Sequence, residues 1–341
     1  MTGLAFAAAF CLMRRGMYQT FLFPNTKSWL QRLGLMAFAL FVLAGCRTDG
    51  SAAGGEGKWP ARVFAPYMYV GYGDHFRMTD CEEACGQKFY TLAFIIADKS
   101  GKPCWDGRIP MSQNFYSEQI GKIRRLGGNV IVSFGGEAGD EPAVVQMNAR
   151  TLEREYESVV DRYHFTWLDF DIEGRNLENR AANERRNSAL AWLQRRHPGL
   201  IISYTLPVDP NGISADSRQL LADARAKGVN VHSADLMVMY FGKEFIKKGK
   251  SEAELGIESA ETAHRQIQKI DPRIRIGLCP CLGRNGPKDE VFTLADARTL
   301  RAFADRTPWV CSLHFWCIND DAGTKNGDGG PWTFDRVFDG F

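Results

Sequence analysis

The chain has 341 residues, 24% of them charged, and a formal net charge of +2 with both signs interspersed. That balance gives no electrostatic footprint for nucleic acid or another acidic polymer. The six histidines are scattered without metal-ligand spacing, and Gly135-Gly136 lacks the later Gly and Lys of a phosphate-binding loop, so no metal, cofactor or nucleotide is expected.

In chain order, the first feature is an apolar run, Met36 to Gly45, preceded by Lys27 and Arg32. It is shorter than the ~20 residues of a membrane span and suits the apolar part of an export signal. It ends Leu43-Ala44-Gly45-Cys46, which resembles the bacterial lipobox, in which the Cys becomes the lipidated first residue. The expectation is a lipoprotein signal peptide over 1–45 and a membrane attachment through Cys46, hence an exported lipoprotein of the cell envelope. In a Gram-negative cell, Arg47 after the Cys favours the outer membrane or cell surface. A second apolar run, Leu4 to Met13, followed by Arg14 and Arg15, exceeds what an export signal needs and suggests a downstream start such as Met17. Gly, Ser and Ala then make 46–60 a flexible tether.

From Val63 the pattern alternates strand and helix, which argues for a parallel sheet. Predicted strands are 63–70, 88–97, 129–134, 165–173, 200–206, 235–241, 274–280 and 310–318. Helical patterns between them include 141–163, 177–196, 214–227, 252–269 and 294–306. Eight such units in one stretch, 61–341, predict an α/β fold: a single (β/α)8 TIM barrel, with its site at the C-terminal ends of the strands.

The fourth predicted strand reads Trp167-Leu168-Asp169-Phe170-Asp171-Ile172-Glu173. Strand alternation puts the three carboxylates on one face and Leu168, Phe170 and Ile172 on the other. Like charges at neighbouring same-face positions oppose joint ionisation, so at least one carboxyl should keep a proton, as a general acid requires. A solvated edge strand would show the same spacing, but the bulky apolar flanks argue for burial. The third strand ends Ser133-Phe134-Gly135-Gly136, where paired glycines permit close backbone approach or positive φ, or form a plain turn. Trp316, near the end of the eighth strand, offers an apolar platform for a sugar face or is simply core.

Nine cysteines are present; setting aside Cys11 and Cys46 leaves an odd number, so at least one thiol is free. Cys81 and Cys85 could bridge locally, and Cys279, Cys281, Cys311 and Cys317 could bridge across the last two strands or stay as buried thiols. Their spacing matches no common zinc cluster.

Together these segments resemble glycoside hydrolase family 18, the chitinase family, in its bacterial and archaeal branch with an LDFDIE fourth strand. The run Leu168 to Glu173, the Ser133-Phe-Gly-Gly136 motif, Phe64-Ala-Pro-Tyr67, Thr91-Leu-Ala-Phe94, Tyr204-Thr-Leu-Pro207 and Phe315-Trp316 carry the likeness over Val63 to Asp320. The resemblance implies that Glu173 is the general acid and later base, Asp171 orients the substrate acetamido group, and Asp169 tunes Asp171. It implies substrate contacts from Tyr67, Phe94, Ser133, Gly136, Met239, Tyr240 and Trp316. It also implies retaining, substrate-assisted cleavage of β-1,4 links beside N-acetylglucosamine, with the N-acetyl oxygen as nucleophile and no cofactor. The partner would be an N-acetylated oligosaccharide or polysaccharide, and a monomer is expected. Alternatives are an endo-β-N-acetylglucosaminidase acting on the chitobiose core of N-glycans, or a non-catalytic glycan-binding lipoprotein. Two departures stand out: Thr166 replaces the first Asp of the signature, and on strand six Tyr240 stands where the branch has Asp.

Overall fold

The computed structural model describes residues 58–72, 76–246, 249–286, 290–323 and 330–341, all within one compact unit. The signal peptide, Cys46 and most of the tether lie outside the described residues.

Eight parallel strands form the ring: β1 (Val63–Phe64, resuming as Tyr67–Tyr69), β2 (Phe89–Ala97), β3 (Asn129–Gly135), β4 (Trp167–Asp171), β5 (Ile201–Asp209), β6 (Val231–Met237), β7 (Arg275–Cys279) and β8 (Val310–Leu313). The break at Ala65-Pro66 makes the closing seam. The first half of β1 pairs with β8, Val63 opposite Ser312, and the second half pairs with β2, Tyr67 opposite Thr91. Backbone bonds from Ala65 N to Leu313 O and from Thr91 N to Pro66 O, both 2.9 Å, continue the two ladders across the break.

Helices cover the outside: α1 (Met78–Cys85), α2 (Ser117–Arg125), α3 (Ala149–Tyr163), α4 (Arg180–Arg196), α5 (Ala215–Lys227), α6 (Glu252–Ile270), α7 (Leu294–Arg306) and α8 (Thr333–Phe338). Their starts follow side-chain chemistry that supplies acceptors to orphan N–H groups. Ser251/Glu254 and Thr293/Asp296 form capping boxes on α6 and α7, and Ser214 caps α5. The helix expected over 141–163 is two pieces, Pro142–Val145 and α3, because Asn148 accepts from the N–H groups of Arg150 and Thr151 and starts a new helix there.

Strand six is corrected by four residues, 231–237 instead of 235–241. The apolar stretch Leu236 to Phe241 misled the reading, because its second half packs around the barrel mouth rather than in the ladder. Of the alternatives for the cysteines, the structure has free thiols: all seven among the described residues are unbridged, with Cys81 and Cys85 sulfurs 3.3 Å apart and Cys279, Cys281, Cys311 and Cys317 buried.

Between barrel and helices lies the main apolar core, which takes Leu168, Phe170 and Ile172 from β4. Phe170 stacks on Phe134 at 5.2 Å and meets Tyr156 edge-on at 5.3 Å. Inside the ring, the lower end is plugged by Trp167, Val63, Ala65 and Ile131, with Trp59 and Phe89 packed against them. Above that plug the interior turns polar.

Candidate active site

The strand alternation of β4 sends Asp169 and Asp171 into the barrel, 1% and 5% exposed. Asp169 sits in a ring of hydroxyls. Tyr67 and Ser133 donate to its Oδ2 at 2.9 and 2.7 Å, and Ser203 and Thr205 donate to its Oδ1 at 2.8 and 3.0 Å. Four neighbouring strands, β1, β3, β5 and β4 itself, therefore meet on one carboxylate. Burial still pushes its pKa up to about 6, with the charge of Asp235 on β6 adding to the rise and the hydroxyls opposing it. Asp235 is likewise raised to about 6 by burial, against the bond it accepts from Ser312 at 2.9 Å.

Asp171 is the opposite case. Its Oδ1 is buried without a hydrogen bond among the described residues. Burial raises its pKa well above the ordinary carboxylate value, and the charges of Glu173 and Asp169 push the same way. The Glu173 carboxyl lies within hydrogen-bonding reach of Asp171 and is itself raised by burial. Both shifts favour keeping a proton within the pair, as like charges on one strand face require. Glu173 follows the end of β4, in extended conformation at the start of the short helix Gly174–Glu178, and makes no capping bond, so its carboxyl is left to the mouth of the barrel.

The Gly135-Gly136 pair is there for both reasons a glycine can be needed. Both have positive φ, +104° and +83°. A Cβ on Gly135 would come 2.1 Å from the Asp171 carbonyl oxygen, and one on Gly136 would come 2.6 Å from the Phe94 ring. Gly136 N–H in turn donates to that Asp171 carbonyl at 2.9 Å. The end of β3 is thus pressed against the acidic end of β4.

A cleft of about 560 Å³ opens over these groups. Tyr67, Phe94, Asp171, Glu173, Met239, Tyr240 and Trp316, all singled out from the sequence, line it. Phe94 and Trp316 stack at 5.5 Å with an interplanar angle of 14°, joining β2 to the end of β8 in one aromatic floor. Asp169, Ser133 and Gly136 are not on the wall. Asp169 and Ser133 lie fully beneath it, and Gly136 supports the Phe94 ring from behind, so Ser133 and Gly136 position the site rather than line it. Tyr240 lies beyond strand six, at φ +52° and 59% exposed, with its N–H on Asn285 Oδ1 at 3.2 Å and its hydroxyl 3.9 Å from Cys281 Sγ. It stands at the rim.

Sequence reasoning missed Tyr69, Asp106, Glu137 and Thr205 as lining residues. Glu137, next after the glycine pair, was findable from position alone, and its charge raises the Glu173 pKa further. Asp106 was not: it comes from a small antiparallel insertion after β2 (Pro103–Trp105 with Ile109–Pro110), where it accepts from the Tyr69 hydroxyl at 2.9 Å.

No family model matches the chain. A probable bifunctional chitinase/lysozyme from Escherichia coli K12 is 28% identical over 266 residues, 73% of this chain. The chain spans 30% to 50% of the length of the curated relatives it matches. The catalytic domain of a hyperthermophilic chitinase from Pyrococcus furiosus is 30% identical with a TM-score of 0.74, over 83% of this chain and 95% of that one. The catalytic domain of a family GH18 chitinase from a fern, at 14% identity and a TM-score of 0.54, shares the fold.

Proposed function

From a chain that belongs to glycoside hydrolase family 18, we propose a retaining glycosidase that cleaves β-1,4 links beside N-acetylglucosamine in chitin or chito-oligosaccharides, using the substrate's own acetamido oxygen as nucleophile. The observation that carries this reading is the adjacent carboxyl pair Asp171 and Glu173, both pushed by burial toward the protonated form, in the wall of an aromatic-floored cleft. A carboxyl that burial pushes toward its neutral form is a poor nucleophile, which leaves that role to the substrate, while its free oxygen can still accept an amide N–H. Asp171 is such a group. Its unpartnered, buried Oδ1 suits an incoming amide, which it can hold and orient while the amide oxygen attacks the anomeric carbon. Glu173, whose pKa burial also raises, gives the pair's proton to the departing glycosidic oxygen and later takes one from the water that opens the intermediate. Phe94 and Trp316 supply the flat apolar surface on which the sugar at the cleavage point rests.

Glu173→Gln keeps the shape and removes the transferable proton. Hydrolysis of chito-oligosaccharides should fall by ~10²–10⁴-fold or more while oligosaccharide binding survives. Unchanged turnover sinks the assignment. Products from chitohexaose, set beside those from a high-mannose glycoprotein, separate chitin-type cleavage from action on N-glycan cores. Binding without any product would favour a glycan-capturing protein.

The Leu43-Ala44-Gly45-Cys46 motif supports a cell-envelope lipoprotein held at a membrane through Cys46. Metabolic labelling with a fatty acid should mark the protein and fail to mark Cys46→Ser.

A further inference from the structure

A cluster that does not line the cleft has chemistry that hydrolysis does not use. Cys81 and Cys85 lie one turn apart on α1, so their side chains emerge on the same face. Their sulfurs are 3.3 Å apart, and the Cys85 thiol also reaches the Cys81 carbonyl oxygen at 3.0 Å. Onto these sulfurs the C-terminal helix α8 brings Asp335, whose side chain is fully buried. Among the described residues neither Asp335 carboxylate oxygen receives a conventional N–H or O–H bond, and the Cys85 thiol lies against them. The two thiol sulfurs and a carboxylate oxygen all lie within 4.8 Å of one another. Asp321, the other acid nearby, is already taken: it accepts the backbone N–H groups of Phe334 and Asp335 at 3.1 and 2.8 Å.

A buried carboxylate with two empty oxygens, facing a pair of thiols, costs free energy unless something satisfies it. We propose that Cys81, Cys85 and Asp335 bind one divalent metal ion of the zinc class, tying α8 to α1. Two sulfurs and one oxygen are the ligand set of a borderline-soft dication. Tetrahedral geometry with metal–sulfur bonds of ~2.3 Å separates the sulfurs by a little under 4 Å, so a small outward rotation of the two side chains is enough. On binding, each thiol releases its proton to solvent as its sulfur donates a lone pair to the metal, and no oxidant or reductant takes part. The partly exposed Cys85 marks the side on which a water can complete the coordination. The ligand spacing hid this from the sequence, because the third ligand lies near the far end of the chain.

The test titrates zinc, and separately cobalt, into the reduced, chelator-treated full-length protein. The expected result is one equivalent bound, a thiolate-to-cobalt charge-transfer band, and zinc protection of Cys81 and Cys85 from alkylation, mapped by peptide mass. Zinc should raise the thermal midpoint of the wild type and not of Cys81→Ser. Asp335→Asn should weaken binding about tenfold or more. Should the cysteine variants fail to fold, the cobalt band and the protection map on the wild type still decide. No binding at excess zinc, undiminished binding in a folded Cys81→Ser/Cys85→Ser variant, or isolation of the protein with a pair of hydrogens missing as a Cys81–Cys85 disulfide would overturn the proposal.

Discussion

Asp169 and Asp171 enter the same barrel from the same strand, yet one accepts from four hydroxyls and the other has a buried oxygen without a hydrogen bond among the described residues. The lower carboxylate is fixed by β1, β3 and β5 as well as its own strand, and it cannot turn without breaking contacts with all of them. The upper one is held from beneath and left open above. A group committed on every side belongs to the scaffold, and a group left short of one partner is prepared for a ligand. The unmet valence at Asp171 is therefore the part of the interior where stability has been left incomplete.

The sharpest way to break this comparison is Asp171→Ala. If Asp171 holds the amide as proposed, its loss should cut turnover of chito-oligosaccharides by ~10²–10³-fold. A loss under about tenfold would show that the open oxygen does not face the reaction. Next comes Ser133→Ala, which strips one hydroxyl from Asp169. A hydrogen bond to a charged group is worth ~1.5–3 kcal/mol, and urea unfolding should show that loss, with turnover following Asp171 only through its altered support. The third way is pH. Asp169 and Asp235 titrate near about 6 in the folded chain, above the ordinary Asp value of 3.8. Between those values the folded protein holds protons that the unfolded chain has released, so their contribution to stability grows as pH falls from about 6 to about 4. Asp235→Asn removes one of these groups. In urea unfolding the wild type should gain on that variant over this interval, and a gap independent of pH would contradict the raised values. The smallest effect belongs to Tyr240→Phe. A hydroxyl at the rim should be worth at most one hydrogen bond, ~0.5–1.5 kcal/mol in kcat/KM. A loss of turnover as large as that of Asp171→Ala would instead place this hydroxyl on the acetamido group.

The fold and the acid strand were legible because both are periodic. Strand alternation sorted Asp169 from Phe170 and Asp171 from Ile172 with no tertiary information. The glycine pair was legible only as a place of close approach, positive φ or a plain turn; the contacts that forbid a side chain there come from Asp171 and Phe94. What stayed hidden depends on contact between distant segments. The hydroxyl ring on Asp169 is drawn from Tyr67, Ser133, Ser203 and Thr205, none of which is unusual in its own strand. The buried Arg186–Glu141 pair at 2.8 Å, which ties the loop after β3 to α4, joins residues 45 positions apart. Strand six was misplaced because an apolar run looks the same to a periodicity argument whether it ends in a sheet or under a rim. Asp106 sits on an insertion that no barrel pattern anticipates.

The broken first strand has a consequence for how the chain reaches its native state. Val63 pairs with Ser312 and Tyr67 with Thr91, so one short segment joins the most distant and the nearest of its partners. Joining ends separated by nearly the whole described chain carries the largest loop-closure entropy in the molecule, while β2 to β7 each find a neighbour nearby in sequence. The seam is therefore expected to zip last. Tyr67 and Trp316 lie on either side of it, one reaching Asp169 and the other stacking on Phe94. The aromatic floor, built from Phe94 on β2 and Trp316 after β8, is then expected to form in the same step that closes the ring.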